Sequence, residues 1–238
     1  MTYTILVADP THRIVGVAAA TGGHAVGAVV PALDPSAGAV ASQAWVNPAL
    51  RHAMLDALRD GKDAESAIVR ALETDGAPER RQVGAIRFDG RYAAHTGAEC
   101  TAWAGERRGR QFIVLGNYLA GPEVLDAVAA AMEAASRTPG DDASGERWLD
   151  ASGELVRHVT PGPVVSLAST LMMALEAGQA AGGDARGSMS ASLAMCRQAP
   201  VGMFPPDLDI DLRVDSDPDP VGRLRVILDE HLYERRAN

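Results

Sequence analysis

The sequence predicts an α+β protein, with antiparallel sheets and helices packed outside them in a single domain over residues 1–238. Three observations predict it. Helical and strand-like segments fall into blocks rather than alternating singly, which argues against a doubly wound parallel sheet. Two turn signals, Asp9-Pro10-Thr11-His12 and Asp89-Gly90, join strand-like runs directly into hairpins. At 238 residues and 47% hydrophobic content, the chain can bury one sizeable core.

The elements follow in order. Residues 2–8 and 13–20 read as the strands of the first hairpin, and residues 38–45 as a third, apolar strand. Asn47-Pro48 starts a helix, with Asn as N-cap and Pro at the first helical position; it runs to Asp60 and stops at Gly61. Asp63 caps a second helix with Ala67, Ile68, Ala71 and Leu72 on one face. Residues 80–88 and 91–96 form the second hairpin, and residues 112–117 a further strand. Gly121-Pro122 opens an Ala-rich helix ending near Ala135. The polar stretch 136–145 reads as a loop or insertion, and residues 146–158 as weakly helical. A long helix over 163–181, strands over 188–196 and 207–215, and an amphipathic helix over 218–233 complete the chain, which carries no internal repeat.

Composition excludes several function classes. The net charge is −9, with no basic stripe interleaved with aromatics, which argues against nucleic acid and anionic membranes as partners. Cys100 and Cys196 are too few and too far apart for a zinc site, and read as reduced thiols. No basic segment followed by an apolar run marks a secretory signal, and no stretch approaches the ~18 apolar residues of a membrane helix. A soluble, cytoplasmic protein is expected. Lys62 is the only lysine, so a mechanism needing a buried lysine must use it or do without.

The most informative residue is Thr2. A small residue at position 2 normally lets aminopeptidase remove Met1, leaving Thr2 with a free amine beside its hydroxyl. Nucleophile and base then share one residue, and an α-amine titrating near pH 7.7–8.0 is a usable base at neutral pH. A Met-small start without chemical purpose is the plain alternative. Asn117, ending an apolar strand, can donate its amide to a developing oxyanion or merely form a turn. In Gly182-Gly183-Asp184-Ala185-Arg186-Gly187-Ser188-Met189-Ser190, Asp184 and Arg186 can hold each other, while Ser188 or Ser190 can contact an N-terminal amine. His95 in Ala94-His95-Thr96-Gly97 either tunes that amine or is an ordinary strand-end histidine. A cysteine hydrolase using Cys100 with His95 lacks an evident Asn or Asp to orient the imidazole.

Two other clusters read as structural. Thr21-Gly22-Gly23-His24-Ala25-Val26-Gly27 lacks the Gly-Lys-Ser/Thr of a phosphate loop, and its glycines permit close turns. Asp207, Asp209 and Asp211 alternate with apolar residues as a solvated strand face, without the spacing of a calcium loop.

The ordered segments resemble a bacterial family of the N-terminal nucleophile (Ntn) hydrolase superfamily, known as domain of unknown function 1028. The segments carrying the likeness are Thr2-Tyr3-Thr4-Ile5, Ala25–Pro31, Gly38–Ala44 with Asn47-Pro48, Arg80–Gly84, Ala94–Gly97, Gly116-Asn117, Leu175–Asp184 with Arg186-Gly187, and Asp211–Asp215. The resemblance implies a four-layer αββα sandwich of two antiparallel sheets with helices outside. A looser similarity to proteasome threonine proteases implies Thr2 as nucleophile and Asp184 near the amine. The hairpin position where those proteases keep an Asp falls near Ala19, and their buried lysine has no equivalent. Arg186 or His95 would then set the electrostatics.

The expected function is an amidohydrolase cleaving a small-molecule amide or short peptide. Thr2, Asn117, Asp184, Ser190 and His95 form the expected catalytic set; Ser42, Gln43 and Arg186 form the substrate-binding set, with a backbone amide near Ser42-Gln43 as second oxyanion donor. The chemistry requires neither metal nor organic cofactor, and a homo-oligomer is compatible with it. The alternative is a non-catalytic binding or assembly protein on the same scaffold.

Overall fold

Asp9 closes the first hairpin: its Oδ1 accepts from the backbone N–H of Thr11 and of His12. The turn joins β1 (Thr2–Asp9) to β2 (Ile14–Thr21) in a register that pairs Asp9 with Ile14 and Thr2 with Thr21. The computed structural model describes residues 2–137, 146–149, 155–159, 162–200, 202 and 206–237.

After the short helix α1 (Val26–Val29), β3 (Pro31–Asp34) and β4 (Gly38–Ala44) lead into α2 (Pro48–Arg59) and α3 (Ala64–Glu73). The second hairpin is β5 (Arg81–Ile86) and β6 (Tyr92–Thr96), followed by β7 (Gly105–Gly109), β8 (Phe112–Asn117) and α4 (Glu123–Arg137). Next come β9 (Glu146–Leu149), β10 (Leu155–Val159), α5 (Pro163–Ala180), β11 (Ser190–Arg197), β12 (Ile210–Val214) and α6 (Pro220–Ala237). The strands form one antiparallel sheet in the order β12-β11-β2-β1-β8-β7, a second in the order β3-β4-β5-β6, and a separate β9–β10 pair.

Both expected helix caps are present. Asn47 accepts from the Ala49 N–H and Asp63 from the Ser66 N–H, each satisfying an orphan donor of the first turn. Four differences from the expected elements have simple causes. Strand β3 is a four-residue edge strand opened by Pro31, and β7 (Gly-Glu-Arg-Arg-Gly) is a polar edge strand, so neither carries hydrophobic alternation. Where a weak helix was expected over 146–158, Glu146–Leu149 and Leu155–Val159 are instead the strands β9 and β10, in keeping with the strand preference of Trp148, Val156 and Val159. The last strand covers only Ile210–Val214, because Asp209 instead turns back to accept from the Arg197 N–H. Of the expected loop at 136–145, residues 138–145 lie outside those described.

Strand alternation sorts the core into three apolar clusters. Tyr3, Ile5 and Val7 of β1 pack with residues of α4, α5 and α6. The alternate residues Leu6 and Ala8 join Val17, Ile113 and Leu115 against Ala39, Ala41 and Ile86 of the four-stranded sheet. Val40, Val83 and Ala85 on that sheet's other face pack with α2 and α3. Gly178 of α5 permits a close helix–sheet approach, since a Cβ there would lie 2.7 Å from both the Tyr3 ring and Val128 Cγ2. The Tyr3 ring cannot easily yield, because its hydroxyl donates to the Leu175 carbonyl. Gly178→Val should therefore destabilise by about 2 kcal/mol, seen as a lower denaturation midpoint in urea with an unchanged m-value.

A buried ion pair ties the second sheet to its helices. The Asp75 carboxylate, just past α3, accepts from Arg81 of β5 and from Asn47 Nδ2 at the start of α2. The Arg81 hydrogen bond, helped by those from Asn47 and the Ala77 N–H, outweighs burial and lowers the Asp75 pKa to about 2. The folded value lies below the unfolded one, so this stabilisation is complete above about pH 4 and is lost as pH falls toward 2. Asp75→Asn should lower stability at neutral pH by about 2 kcal/mol and flatten this part of the acid denaturation profile. Equilibrium denaturation of both proteins between those pH values checks it.

Candidate functional site

Because Tyr3, Ile5 and Val7 point to the helices, Thr2 and Thr4 point between the two sheets. At this end of the six-stranded sheet the strand register aligns a polar row: Asn117 pairs with Thr2, Thr2 with Thr21, and Thr21 with Ser190. The facing sheet presents a second row, in which Gln43 pairs with Gln82 and Gln82 with Thr96. Thr2 is 3% exposed, and Gln43, Gln82, Asn117 and Ser190 are buried.

Hydrogen bonds join the two rows. Thr2 Oγ1 donates to Thr21 Oγ1 at 3.1 Å. Thr4 Oγ1 donates to Gln43 Oε1 at 2.6 Å, and Gln43 Nε2 reaches the Thr2 carbonyl at 3.5 Å. At the centre is Gln82. Its Oε1 accepts from Gln43 Nε2 at 2.8 Å and from Asn117 Nδ2 at 2.9 Å. Its Nε2 donates to the carbonyls of Gly105 (3.0 Å) and Gly116 (2.9 Å) and to Thr96 Oγ1 (2.9 Å). The two carbonyl partners fix the orientation of this amide, since a flip would set oxygen against oxygen. The Asn117 amide nitrogen is thereby held with one N–H on Gln82 and a second N–H for another acceptor.

Asp184 and Arg186 meet as expected in the turn after α5, where Gly182, Gly183 and Gly187 adopt positive φ. The buried Asp184 carboxylate accepts from the Gly22 N–H at 2.6 Å, from the Arg186 N–H and from the Arg186 guanidinium. Arg186 itself remains 39% exposed at the rim. The Asp184 charge adds to burial in raising the pKa of Tyr3, the residue after Thr2. Ser190 Oγ donates to the Gly23 carbonyl and accepts from the Val26 N–H, so it secures the loop after β2.

Three of the five non-glycine residues with left-handed φ among the described residues lie at the same end. Ala25, Ala44 and Tyr118, which follow or end β2, β4 and β8, have left-handed φ values of 55°, 69° and 53°. Such conformations cost about 1–2 kcal/mol per non-glycine residue and concentrate where a site over-determines its backbone. Tyr118 is held on both sides, its N–H bonding the Thr101 carbonyl and its carbonyl accepting from Ala185.

The structure does not bring Ser42 and His95 to Thr2. Both sit one residue out of phase with the inward rows. Ser42 Oγ donates to the Asn47 carbonyl, and its backbone N–H is spent on the Val30 carbonyl, so it supplies no oxyanion donor. His95 pairs with Val83 on the helix-facing side, its Nε2 3.3 Å from the Pro78 carbonyl. The Cys100 thiol lies against the Arg81 carbonyl with its pKa raised by burial, and no hydrogen bond joins it to His95. Burial pushes Cys196 up to about 12, as expected of a sealed thiol.

Thr4, Thr21, Gln82 and Thr96 are not among the expected site residues. Counting the first hairpin outward from its turn sets Thr21 opposite Thr2, which was signal enough. Among the described residues, no three of His, Cys, Asp and Glu gather closely enough to hold a metal ion, and no helix is long and apolar enough to cross a membrane. A groove of about 890 Å³ exists elsewhere, and its lining does not include Thr2, Asn117 or Asp184.

The family described as "Family of unknown function (DUF1028)" matches residues 2–224. The chain belongs to this family. Among solved structures it is similar to protein SPO2555 from Silicibacter pomeroyi, of the same family. The two are 28% identical with a TM-score of 0.73, over 100% of this chain and 86% of that one. Anbu (ancestral beta-subunit) from Yersinia bercovieri aligns over 99% of this chain and 96% of its own, at 9% identity and a TM-score of 0.37. No curated protein matches the chain.

Proposed function

We propose that this DUF1028 chain is an N-terminal nucleophile amidohydrolase acting on a small-molecule amide or short peptide, its single domain a four-layer αββα sandwich. One observation carries the reading: the Thr2 hydroxyl lies in register beside Asn117, whose amide is oriented by the buried Gln82. After removal of Met1, the Thr2 amine accepts the hydroxyl proton as Oγ1 attacks the carbonyl carbon. The oxyanion takes the second N–H of Asn117 Nδ2. The amine returns its proton to the leaving nitrogen as the C–N bond breaks, and water then hydrolyses the Thr2 ester. Asp184 and Arg186 supply the local field, in place of the lysine of proteasome threonine proteases. The protein acts in the cytoplasm without nucleic acid or membrane partners, and assembly into a homo-oligomer is compatible with the reading.

Intact mass and reaction with an electrophilic β-lactone test it together. The purified chain should have lost Met1 and should gain one lactone on Thr2; active protein that retains Met1 would overturn the proposal. A second reading, a non-catalytic binding or assembly protein, is favoured by the 3% exposure of Thr2 and by the groove that lies away from it. Absence of any lactone adduct, together with a ligand held in that groove, would favour it.

A further inference from the structure

The two most exposed large apolar side chains among the described residues are Trp45, 60% exposed, and Trp103, 56% exposed. Both stand at the Thr2 end of the sheets. Trp45 follows β4, two residues after Gln43, whose amide reaches the Thr2 carbonyl. Trp103 lies in the loop between β6 and β7. Its carbonyl accepts from the Leu119 N–H, two residues past Asn117, the strand partner of Thr2. Two residues span at most about 7 Å, so each indole is anchored close to a neighbour of Thr2. The two loops also adjoin each other: the Arg80 carbonyl accepts from the Trp45 N–H, and the Arg81 carbonyl from Gly97, where the Trp103 loop begins.

Of the three tryptophans in the chain, these two lie outside all three apolar clusters. Folding does not account for them, and exposed apolar groups gathered in one place mark a binding surface. Trp45 is steadied on one side, with the Arg80 guanidinium carbon 5.4 Å from its ring centroid. Arg80 is itself held by Glu99 at 2.7 Å. The charges along this rim indicate what it takes. Arg80 pairs with Glu99, Arg81 with Asp75 and Arg186 with Asp184, so none of these cations is left for an anion. Glu79 adds a further carboxylate, bonded to the Ala98 N–H. A cationic ligand would meet Arg80 already lying over Trp45. A flat, uncharged ring meets neither objection and stacks on indole. We infer that Trp45 and Trp103 bind an uncharged aromatic ring of the molecule that Thr2 cleaves, which makes the substrate an aryl-bearing amide. The inference rests on Thr2 as nucleophile, but binding of the ring can be measured without it.

Thr2→Ala, which lacks the attacking hydroxyl, should bind N-acetyl-phenylalanine amide about tenfold more tightly than its cyclohexyl analogue in calorimetric titration, because only the planar ring stacks. Adding Trp45→Leu and Trp103→Leu should abolish that preference and leave the affinity for the cyclohexyl analogue within about twofold. Should the double substitution unfold the chain, either one alone should cut the preference to about threefold. In the wild type, saturating aromatic amide should protect Thr2 from the β-lactone, and replacing both tryptophans should remove the protection. Equal affinity for the two probes, binding of neither, a preference that survives in the folded variants, or labelling indifferent to the bound aromatic amide would overturn the inference. A dimer that dissociates when both tryptophans are replaced would also overturn it, since a second copy would then cover them. Failure of the lactone to label the wild type at all would overturn Thr2 as nucleophile, while the comparison of the two probes still decides whether the ring is bound.

Discussion

Thr2→Ala should abolish covalent reaction with a β-lactone and any amide turnover, by at least about 10⁴-fold, while the chain stays folded. The change removes the attacking oxygen and one hydrogen bond, that to Thr21 Oγ1. A single such bond contributes about 1 kcal/mol, too little to unfold a core of three clusters. Alanine at position 2 still permits Met1 removal, so the variant isolates the hydroxyl from the processing step. Thr2→Ser should retain reaction. Intact-mass spectrometry after lactone treatment reads all three proteins, with circular dichroism confirming the fold. Equal labelling of wild type and Thr2→Ala would move the nucleophile elsewhere.

Gln82→Met should be the most damaging single substitution at this end of the sheets. It keeps the volume but deletes every polar contact of the amide, leaving Gln43 Nε2 and Asn117 Nδ2 without their shared acceptor. The carbonyls of Gly105 and Gly116 lose their donor at the same time. Each buried group left unsatisfied costs about 1–3 kcal/mol, so a loss of about 4 kcal/mol is expected. For a chain of 238 residues that is a fall of about 10 °C in the melting temperature, measurable by calorimetry. Below that temperature, lactone labelling of Thr2 should slow by about 10²-fold, because the oxyanion donor is no longer aimed. A variant that melts like the wild type would show that the network does not stabilise the fold.

Much of the fold was legible because its signals are local. The turn at Asp9, the caps at Asn47 and Asp63, and the Asp89-Gly90 hairpin depend on residues two or three apart. The edge strands β3 and β7 were hidden because they owe their existence to a neighbour rather than to their own pattern. The site was legible only in part, for the same reason. Asn117 ends an apolar run and could be noticed, but Gln82 looks like any polar residue until three strands and the facing sheet surround it. His95 and Ser42 show how narrow the margin is. In a strand with period two, the residue beside an inward one faces the opposite layer, and both lay one step off.

The polar support of Asn117 is built from Thr4, Gln43, Gln82 and Thr96, all uncharged. No proton enters or leaves it at any pH the fold survives, so the aim of the oxyanion donor does not vary with acidity. A pH–rate profile of Thr2 labelling should accordingly rise through one ascending limb, that of the α-amine. The assembly behaves as a rigid mount for a single titrating instrument, the chain terminus itself.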